Sequence, residues 1–209
     1  KEAINFIRDD FEKILVITHI EEIKDAFPAL VDSASIIGGT QIQGRASIGG
    51  NLCNAAPSAD AIPTLIALGA TANVSGSTGD RSVAIEDFCT GPGQNVLGAD
   101  ELLTSISIPE QGANSGARYQ RFIPRNEMDI AVAGVGSSVV LDASGQNFVS
   151  ARIALASVAP TPVFSKAAGD SLAGKPVSEA AIQEASEKAE ADAKPIDDMR
   201  GTVRQRSGQ

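Results

Sequence analysis

Residues 45–60 constrain the fold most, because they bring hydroxyls, paired glycines, two asparagines and a carboxylate together. The adjacent Gly49 and Gly50 can adopt positive φ angles at no steric cost, which lets backbone N–H groups converge on an anion such as a pyrophosphate. A helix predicted from about Ser58 would direct its positive end at the same place. Asp60, near the start of that helix, would bond either to free N–H groups or to a ligand hydroxyl. Because Gly-Gly is also common in ordinary loops, the pair alone leaves a plain connection open.

The composition indicates an acidic globular protein. Of its 209 residues, 43% are hydrophobic, which is enough to form a core in one large domain or two small ones. The net charge of −9 argues against nucleic acid as a partner, because phosphate backbones are bound through clustered Lys and Arg. The sequence has no apolar run long enough to span a membrane, and its first residues lack the apolar core of a signal peptide. We therefore expect a cytoplasmic protein.

Few side chains of this sequence are suited to chemistry. Cys53 and Cys89 are too few for a disulfide scaffold and do not form a Cys-x-x-Cys pair, so we expect two buried or half-buried thiols. With one His and one Tyr, the chain offers little for a Ser-His-Asp triad or a histidine metal site. We predict no catalytic side chain and no metal site, so that any redox chemistry must come largely from a bound cofactor.

Hydrophobic periodicity and capping residues predict both helices and strands. Thr18 caps a first helix, Pro28 starts a second that ends at Gly38-Gly39, and Ser178 caps a late one. The small and branched residues of 129–142 predict a strand that is covered on both faces. The predicted strands are 11–18, 101–108, 117–123, 129–142 and 148–158, with a hairpin of 72–74 and 81–84, and the other predicted helices are 58–68 and one from Pro195.

A linker-like stretch, Gly112-Ala113-Asn114-Ser115-Gly116, divides the sequence. Small and polar residues of this kind are typical of connections between folded units. We therefore predict a first domain of residues 1–112 and a second of residues 113–209.

Residues 45–60 resemble, almost residue for residue, the second flavin-binding segment of the FAD-binding medium subunits of molybdenum hydroxylases. These are the subunits of the xanthine dehydrogenase and carbon monoxide dehydrogenase group. Further segments resemble the same family in the family's order, namely residues 17–19, 65–70, 81–88, 101–109, 152–162 and 195–201. This ordered set is far more specific than one glycine pair, and it covers the chain from about Ile17 to Gly201.

The resemblance implies an α+β fold. It consists of the second lobe of a two-lobed, PCMH-type FAD-binding domain and a C-terminal domain of three antiparallel strands with helices. The family's first lobe, with its own Gly-Gly loop, has no counterpart here, and Gly38-Gly39 lies in the wrong place to replace it. Gln205 stands where the family has Tyr. We therefore expect a partial chain, or a natural one that holds FAD weakly, because each charge-assisted hydrogen bond contributes on the order of 1.5–3 kcal/mol.

The resemblance also implies which residues contact FAD. Those from Ala46 to Asn51 would surround the diphosphate and ribityl parts, and Asp60 would accept a hydrogen bond from a flavin hydroxyl or ring nitrogen. Arg121 stands where Lys is usual, which keeps the positive charge but alters its reach. The implied cofactor-binding residues are Ile37, Ala46, Ser47, Ile48, Gly49, Gly50, Asn51, Asp60, Leu103 and Arg121.

By resemblance, the chain is the FAD-binding electron-transfer subunit of a molybdenum hydroxylase. In that family, substrate is oxidised at a molybdopterin centre in a large subunit, electrons cross the [2Fe–2S] clusters of a small subunit, and FAD passes them to an acceptor. The implied partners are these two subunits in a heterotrimer. Two alternatives stay open. One is a stand-alone FAD oxidase of related fold, which needs acid or base residues over the ring, and the other is a flavin-free assembly subunit.

Overall fold

The computed structural model describes residues 28–125, 128–199 and 201–207. The predicted strand 11–18 and the helix capped by Thr18 lie outside these residues. In the described part the helices are α1 (Pro28–Ser35), α2 (Thr40–Gln43), α3 (Ile48–Asn54), α4 (Ala61–Ala67), α5 (Lys166–Leu172), α6 (Glu179–Asp192) and α7 (Val203–Ser207). The strands are β1 (Thr71–Gly76), β2 (Gly79–Ala84), β3 (Cys89–Gly91), β4 (Gln94–Asn95), β5 (Glu101–Ser107), β6 (Ser115–Phe122), β7 (Ala133–Leu141), β8 (Phe148–Ala156) and β9 (Val163–Phe164). The helices predicted from Pro28 and after the Ser178 cap are confirmed.

Helix α4 is the centre of the main core. Every residue of α4, from Ala61 to Ala67, is buried, and the helix carries no charged side chain. A helix that is apolar all round is stable only when it is enclosed. Phe88 and Leu52 are fully buried in the same cluster. Pro63 lies in the first turn of α4, where the missing N–H costs no helix bond.

Strands β1 and β2 form the predicted hairpin, with a shorter loop than predicted. Gly76 pairs with Gly79, so Ser77-Thr78 alone form the loop. Gly79 has a φ of 118°, which favours glycine. Strand β5 pairs with the other edge of β1 in a sheet of order β2-β1-β5, which confirms the predicted strand 101–108.

The second half of the described chain contains an antiparallel sheet of order β6-β7-β8-β9. Its long strands β6 and β8 confirm the predicted strands 117–123 and 148–158. The expectation of three strands is wrong by one, because Val163 and Phe164 pair with the end of β8 as a fourth strand. Two residues that follow a proline are too short a run for hydrophobic alternation to be recognised.

Strand β7 differs from the prediction for residues 129–142. It begins at Ala133, and its burial alternates. Gly134 and Gly136 are buried, whereas Val135 is 40% exposed. Both faces of β7 are therefore covered as predicted except at Val135, the one exposed residue of the strand. The small residues are there because helix α4 lies very close to one face of the sheet, and a Cβ on Gly136 would lie 2.6 Å from the carbonyl carbon of Pro63.

The two halves of the chain pack together through α4 and the second sheet, whose opposite face is covered by α5 and α6. Arg152 of β8 donates to the Ile66 carbonyl of α4 at 2.9 Å and to Glu86 at 2.8 Å. Its guanidinium lies 4.1 Å from the centre of the Phe164 ring. Among the described helices, none is both long and apolar enough to cross a membrane.

Candidate functional site

The paired glycines of residues 45–60 lie in the first turn of helix α3. Ser47 is extended, with φ −130° and ψ 156°, and its Oγ accepts a hydrogen bond of 3.0 Å from the Gly50 N–H. Neither Gly49 nor Gly50 has a positive φ, so the predicted positive-φ loop is wrong. The reason is the serine cap, which supplies an acceptor for the turn and so favours helix at once. Within residues 45–60, only Ala55 takes a left-handed conformation, where α3 ends with a φ of 47°.

The start of α3 leaves backbone donors free. The N–H groups of Ile48 and Gly49 have no acceptor in the part of the chain that the structure describes, as expected for a first helical turn. A Cβ on Gly49 would lie 3.5 Å from Cδ2 of Leu103, so the structure brings these two predicted site residues together. Ile37 and Ile48 pack against the core cluster that contains Leu103. Ala46 is exposed just before the serine cap.

Asn51 has an unusual buried oxygen. Its Oδ1 is inaccessible to solvent and has no hydrogen-bond partner within residues 28–125, 128–199 and 201–207. A buried acceptor of this kind is costly unless a donor reaches it. Asn51 belongs to the same helix as Ile48 and Gly49, so α3 carries both unbonded donors and an unbonded acceptor. These residues therefore fit a ligand with an anionic group and hydroxyls.

The rest of residues 45–60 is fixed from both halves of the chain. The Asn95 side chain donates to the Cys53 carbonyl at 2.7 Å, and the Gly93 N–H donates to the Ala55 carbonyl at 3.0 Å. From the second half, the Ser157 N–H donates to the Pro57 carbonyl at 2.8 Å. Hydrogen bonds from both halves of the chain therefore hold the end of α3 and the irregular connection to α4.

Asp60 has partners that the sequence did not predict. The Tyr119 hydroxyl donates to its Oδ1 at 2.7 Å, and Nη1 of Arg121 donates to its Oδ2 at 3.0 Å. Asp60 is the N-cap residue of α4 but has helical angles, φ −71° and ψ −29°, and makes no side-chain cap bond. The sequence offered helix N–H groups or a ligand hydroxyl as partners of Asp60, and it missed these two side chains. The predicted start of the helix near Ser58 is also wrong, because α4 begins at Ala61.

This carboxylate is held in a dry environment. The side chains of Asp60 and Arg121 are each 9% exposed. Burial raises the pKa of Asp60 above its ordinary value, and the hydrogen bond from Tyr119 and the charge of Arg121 partly offset this effect. Burial and then the negative charge of Asp60 raise the pKa of Tyr119, so its hydroxyl stays a donor.

The structure therefore groups the predicted site residues in two places. Those from Ala46 to Asn51 surround the start of α3 beside Leu103, whereas Asp60 and Arg121 form an ion pair at the start of α4. Tyr119 was not predicted. It is two residues from Arg121, so strand periodicity could have placed both on one face, but no sequence pattern indicates a bond to a residue 59 positions away.

Comparison with known proteins finds the same similarity along almost the whole chain. A family model described as the FAD binding domain in molybdopterin dehydrogenase matches residues 14–111. A second, the CO dehydrogenase flavoprotein C-terminal domain, matches residues 118–207.

Individual proteins resemble the chain in sequence and in structure. The xanthine dehydrogenase FAD-binding subunit of Escherichia coli is 36% identical over 177 residues, which are 84% of this chain and 60% of that protein. The carbon monoxide dehydrogenase medium chain of Afipia carboxidovorans is 34% identical over 180 residues, which are 86% of this chain and 62% of that protein. A solved carbon monoxide dehydrogenase from Hydrogenophaga pseudoflava matches with a TM-score of 0.84 at 30% identity, covering 89% of this chain and 64% of that one. The chain thus spans about 60% of the length of these curated relatives.

Proposed function

Because the chain belongs to the family of FAD-binding medium subunits of molybdenum hydroxylases, we propose that it binds FAD and transfers electrons through it in an oxidoreductase complex. The observation that carries the proposal is helix α3, where the N–H groups of Ile48 and Gly49 are unbonded at its start and the Asn51 amide oxygen is buried without a donor. A bound isoalloxazine ring would supply the redox chemistry, which none of this chain's side chains offers.

The residues at the start of α3 would bind the negatively charged part of the cofactor. The N–H groups of Ile48 and Gly49 suit phosphate oxygens, because the first turn of a helix combines free donors with a partial positive charge. Oδ1 of Asn51 suits a hydroxyl donor such as those of the ribityl chain. Ile37 and Leu103 would supply apolar contacts, since both belong to or pack against the same core cluster.

We propose that this chain works with partner subunits. The relatives named above include medium chains of carbon monoxide dehydrogenases. By analogy, a large molybdopterin-binding subunit would oxidise the substrate and a small [2Fe–2S] subunit would carry its electrons to FAD. This chain would then hold the flavin and exclude water around it, without a general acid or base of its own. We also propose a division into domains at residues 112–113, which lies between the two matched segments, 14–111 and 118–207.

Flavin content tests the proposal directly. The chain is co-expressed with its neighbouring genes, the complex is purified, and FAD is released and quantified by fluorescence. We expect one FAD per copy of the chain in the wild-type complex. A complex without FAD would contradict the proposal and favour the flavin-free assembly subunit, whereas stoichiometric FAD in a chain that turns over substrate alone would favour the stand-alone oxidase.

A matched pair of glycine variants locates the binding surface. Gly50→Val places a branched side chain in the first turn of α3, where a Cβ would lie only 3.0 Å from the capping Ser47 Oγ. Gly116→Val adds the same side chain to an exposed strand position with open space around it. We expect Gly50→Val to lose FAD and Gly116→Val to keep it. Stoichiometric FAD in both variants would exclude the start of α3 as the binding surface.

A further inference from the structure

We propose that Tyr119 is a positioning residue of the flavin site and that it acts through Asp60. This inference rests on the FAD-binding function proposed above. The two carboxylate oxygens of Asp60 each have one donor from β6, the Tyr119 hydroxyl at 2.7 Å and Nη1 of Arg121 at 3.0 Å. Without such partners, the χ2 torsion of an aspartate adopts a broad range of angles. A donor on each oxygen fixes the plane of the carboxylate.

The sheet provides a specific place for the tyrosine hydroxyl. Tyr119 is 6% exposed, and a Cβ on Gly134 of the neighbouring strand β7 would overlap the Tyr119 hydroxyl oxygen. Gly134 pairs with Arg121 in the register of β6 and β7. The absence of a side chain at Gly134 therefore leaves the space that the hydroxyl occupies on its way to Asp60.

This contact joins the two matched segments of the chain. Asp60 lies within residues 14–111, whereas Tyr119 and Arg121 lie within residues 118–207. Two of the four lone-pair positions of the Asp60 carboxylate are used by these donors, which leaves capacity for a further hydrogen bond. The second segment would thus set the orientation in which the first segment presents Asp60 to the cofactor.

A positioning residue acts on Asp60 itself, whereas a structural residue only helps to hold the two matched segments together. The chain offers a matched control for the second role. The ion pair between Arg152 and Glu86, 2.8 Å long, also joins the two segments, but neither residue is bonded to Asp60. Tyr119→Phe and Glu86→Gln each weaken one polar contact between the segments. Only the first changes the bonding of Asp60.

The experiment is a double-mutant cycle on the purified complex of the full chain with its partner subunits. FAD is stripped from the complex, and its dissociation constant is measured by fluorescence quenching for wild type, Tyr119→Phe, Asp60→Asn and the double variant. In the wild-type background we expect Tyr119→Phe to weaken FAD binding about tenfold, because the lost hydrogen bond is to a charged group. In the Asp60→Asn background we expect at most about a threefold loss, since a bond to a neutral acceptor is roughly half as strong. Glu86→Gln should change the constant by no more than about twofold, because this ion pair is partly exposed.

The outcomes separate this inference from the proposed function. A wild-type complex that binds no FAD contradicts the function itself. If the wild type binds FAD, the inference is overturned by an equal effect of Tyr119→Phe in both backgrounds, by no effect in either, or by an equal loss in Glu86→Gln. A large effect that is confined to the background with an intact Asp60 supports it.

Discussion

Gly136 allows helix α4 to lie directly on the second sheet, and its replacement by alanine should separate them. A Cβ on Gly136 would lie 2.6 Å from both the carbonyl carbon and oxygen of Pro63 and 2.9 Å from the Thr64 nitrogen. All three are backbone atoms, so no side chain can rotate to make room. The helix would have to withdraw by about 0.8 Å, the difference between 2.6 Å and the 3.4 Å of an ordinary contact.

Such a movement affects the centre of the core, because every residue of α4 is buried. Added methyl groups in packed cores typically lower the free energy of unfolding by 1–3 kcal/mol. Because the new methyl group of Gly136→Ala would meet backbone atoms, we expect a loss at the upper end of this range, about 3 kcal/mol. For a domain of this size, each kcal/mol lowers the melting temperature by about 2–4 °C, so we expect a decrease of about 6–12 °C.

The matched control is Gly116→Ala in β6, where an added Cβ meets nothing within 4 Å. Alanine there should raise stability by up to about 1 kcal/mol or leave it unchanged, because it reduces the freedom of the unfolded chain. Circular dichroism melts of both variants measure the difference. Equal melting temperatures for Gly136→Ala and the wild type would refute the close packing of α4 on β7.

Three further perturbations test the site and its surroundings. Ser47→Ala should lower the stability by about 1 kcal/mol through loss of the α3 cap, seen as a lower melting temperature, whereas an unchanged melt would show that the cap is dispensable. Hydrogen bonds from Arg81 and a backbone N–H lower the pKa of Glu101 from 4.5 to about 2, so its contribution is complete above pH 4.5 and is lost as the pH falls towards 2. Glu101→Gln should therefore lower the melting temperature at neutral pH but not near pH 2. The same decrease relative to the wild type at both pH values would contradict a stabilising role of the Glu101 carboxylate. Burial raises the pKa of Cys53, and of Cys89 to about 11, so a chromogenic disulfide reagent should react slowly with the folded protein at neutral pH and rapidly in urea. Rapid reaction of both thiols in the native state would argue against their burial.

Features with local causes could be predicted from the sequence. The β1–β2 hairpin follows from alternation around a glycine-containing turn, and helix α6 follows from the Ser178 cap, whose Oγ accepts a hydrogen bond from the Ala181 N–H. The half-buried state of the two free cysteines is also as predicted. In each of these cases the determining residues lie within a few positions of one another or belong to a residue type with a strong burial preference.

Features that depend on distant partners could not be predicted. Gly49 and Gly50 can adopt either sign of φ, and the helical state depends on whether the Ser47 side chain folds back as a cap. The partners of Asp60 come from a strand about 60 residues later. The small residues of β7 predicted a covered strand, but the sequence did not indicate that Gly136 is needed for the close approach of helix α4 to one face.

An experimental structure of the FAD-loaded complex is the most direct test of the proposed cofactor site. We predict that a phosphate oxygen of FAD lies within hydrogen-bond distance of the Ile48 or Gly49 N–H, and that the Asn51 oxygen accepts a bond from the cofactor. FAD bound to this chain at a distance from α3, with both N–H groups and the Asn51 oxygen still without a partner, would contradict it.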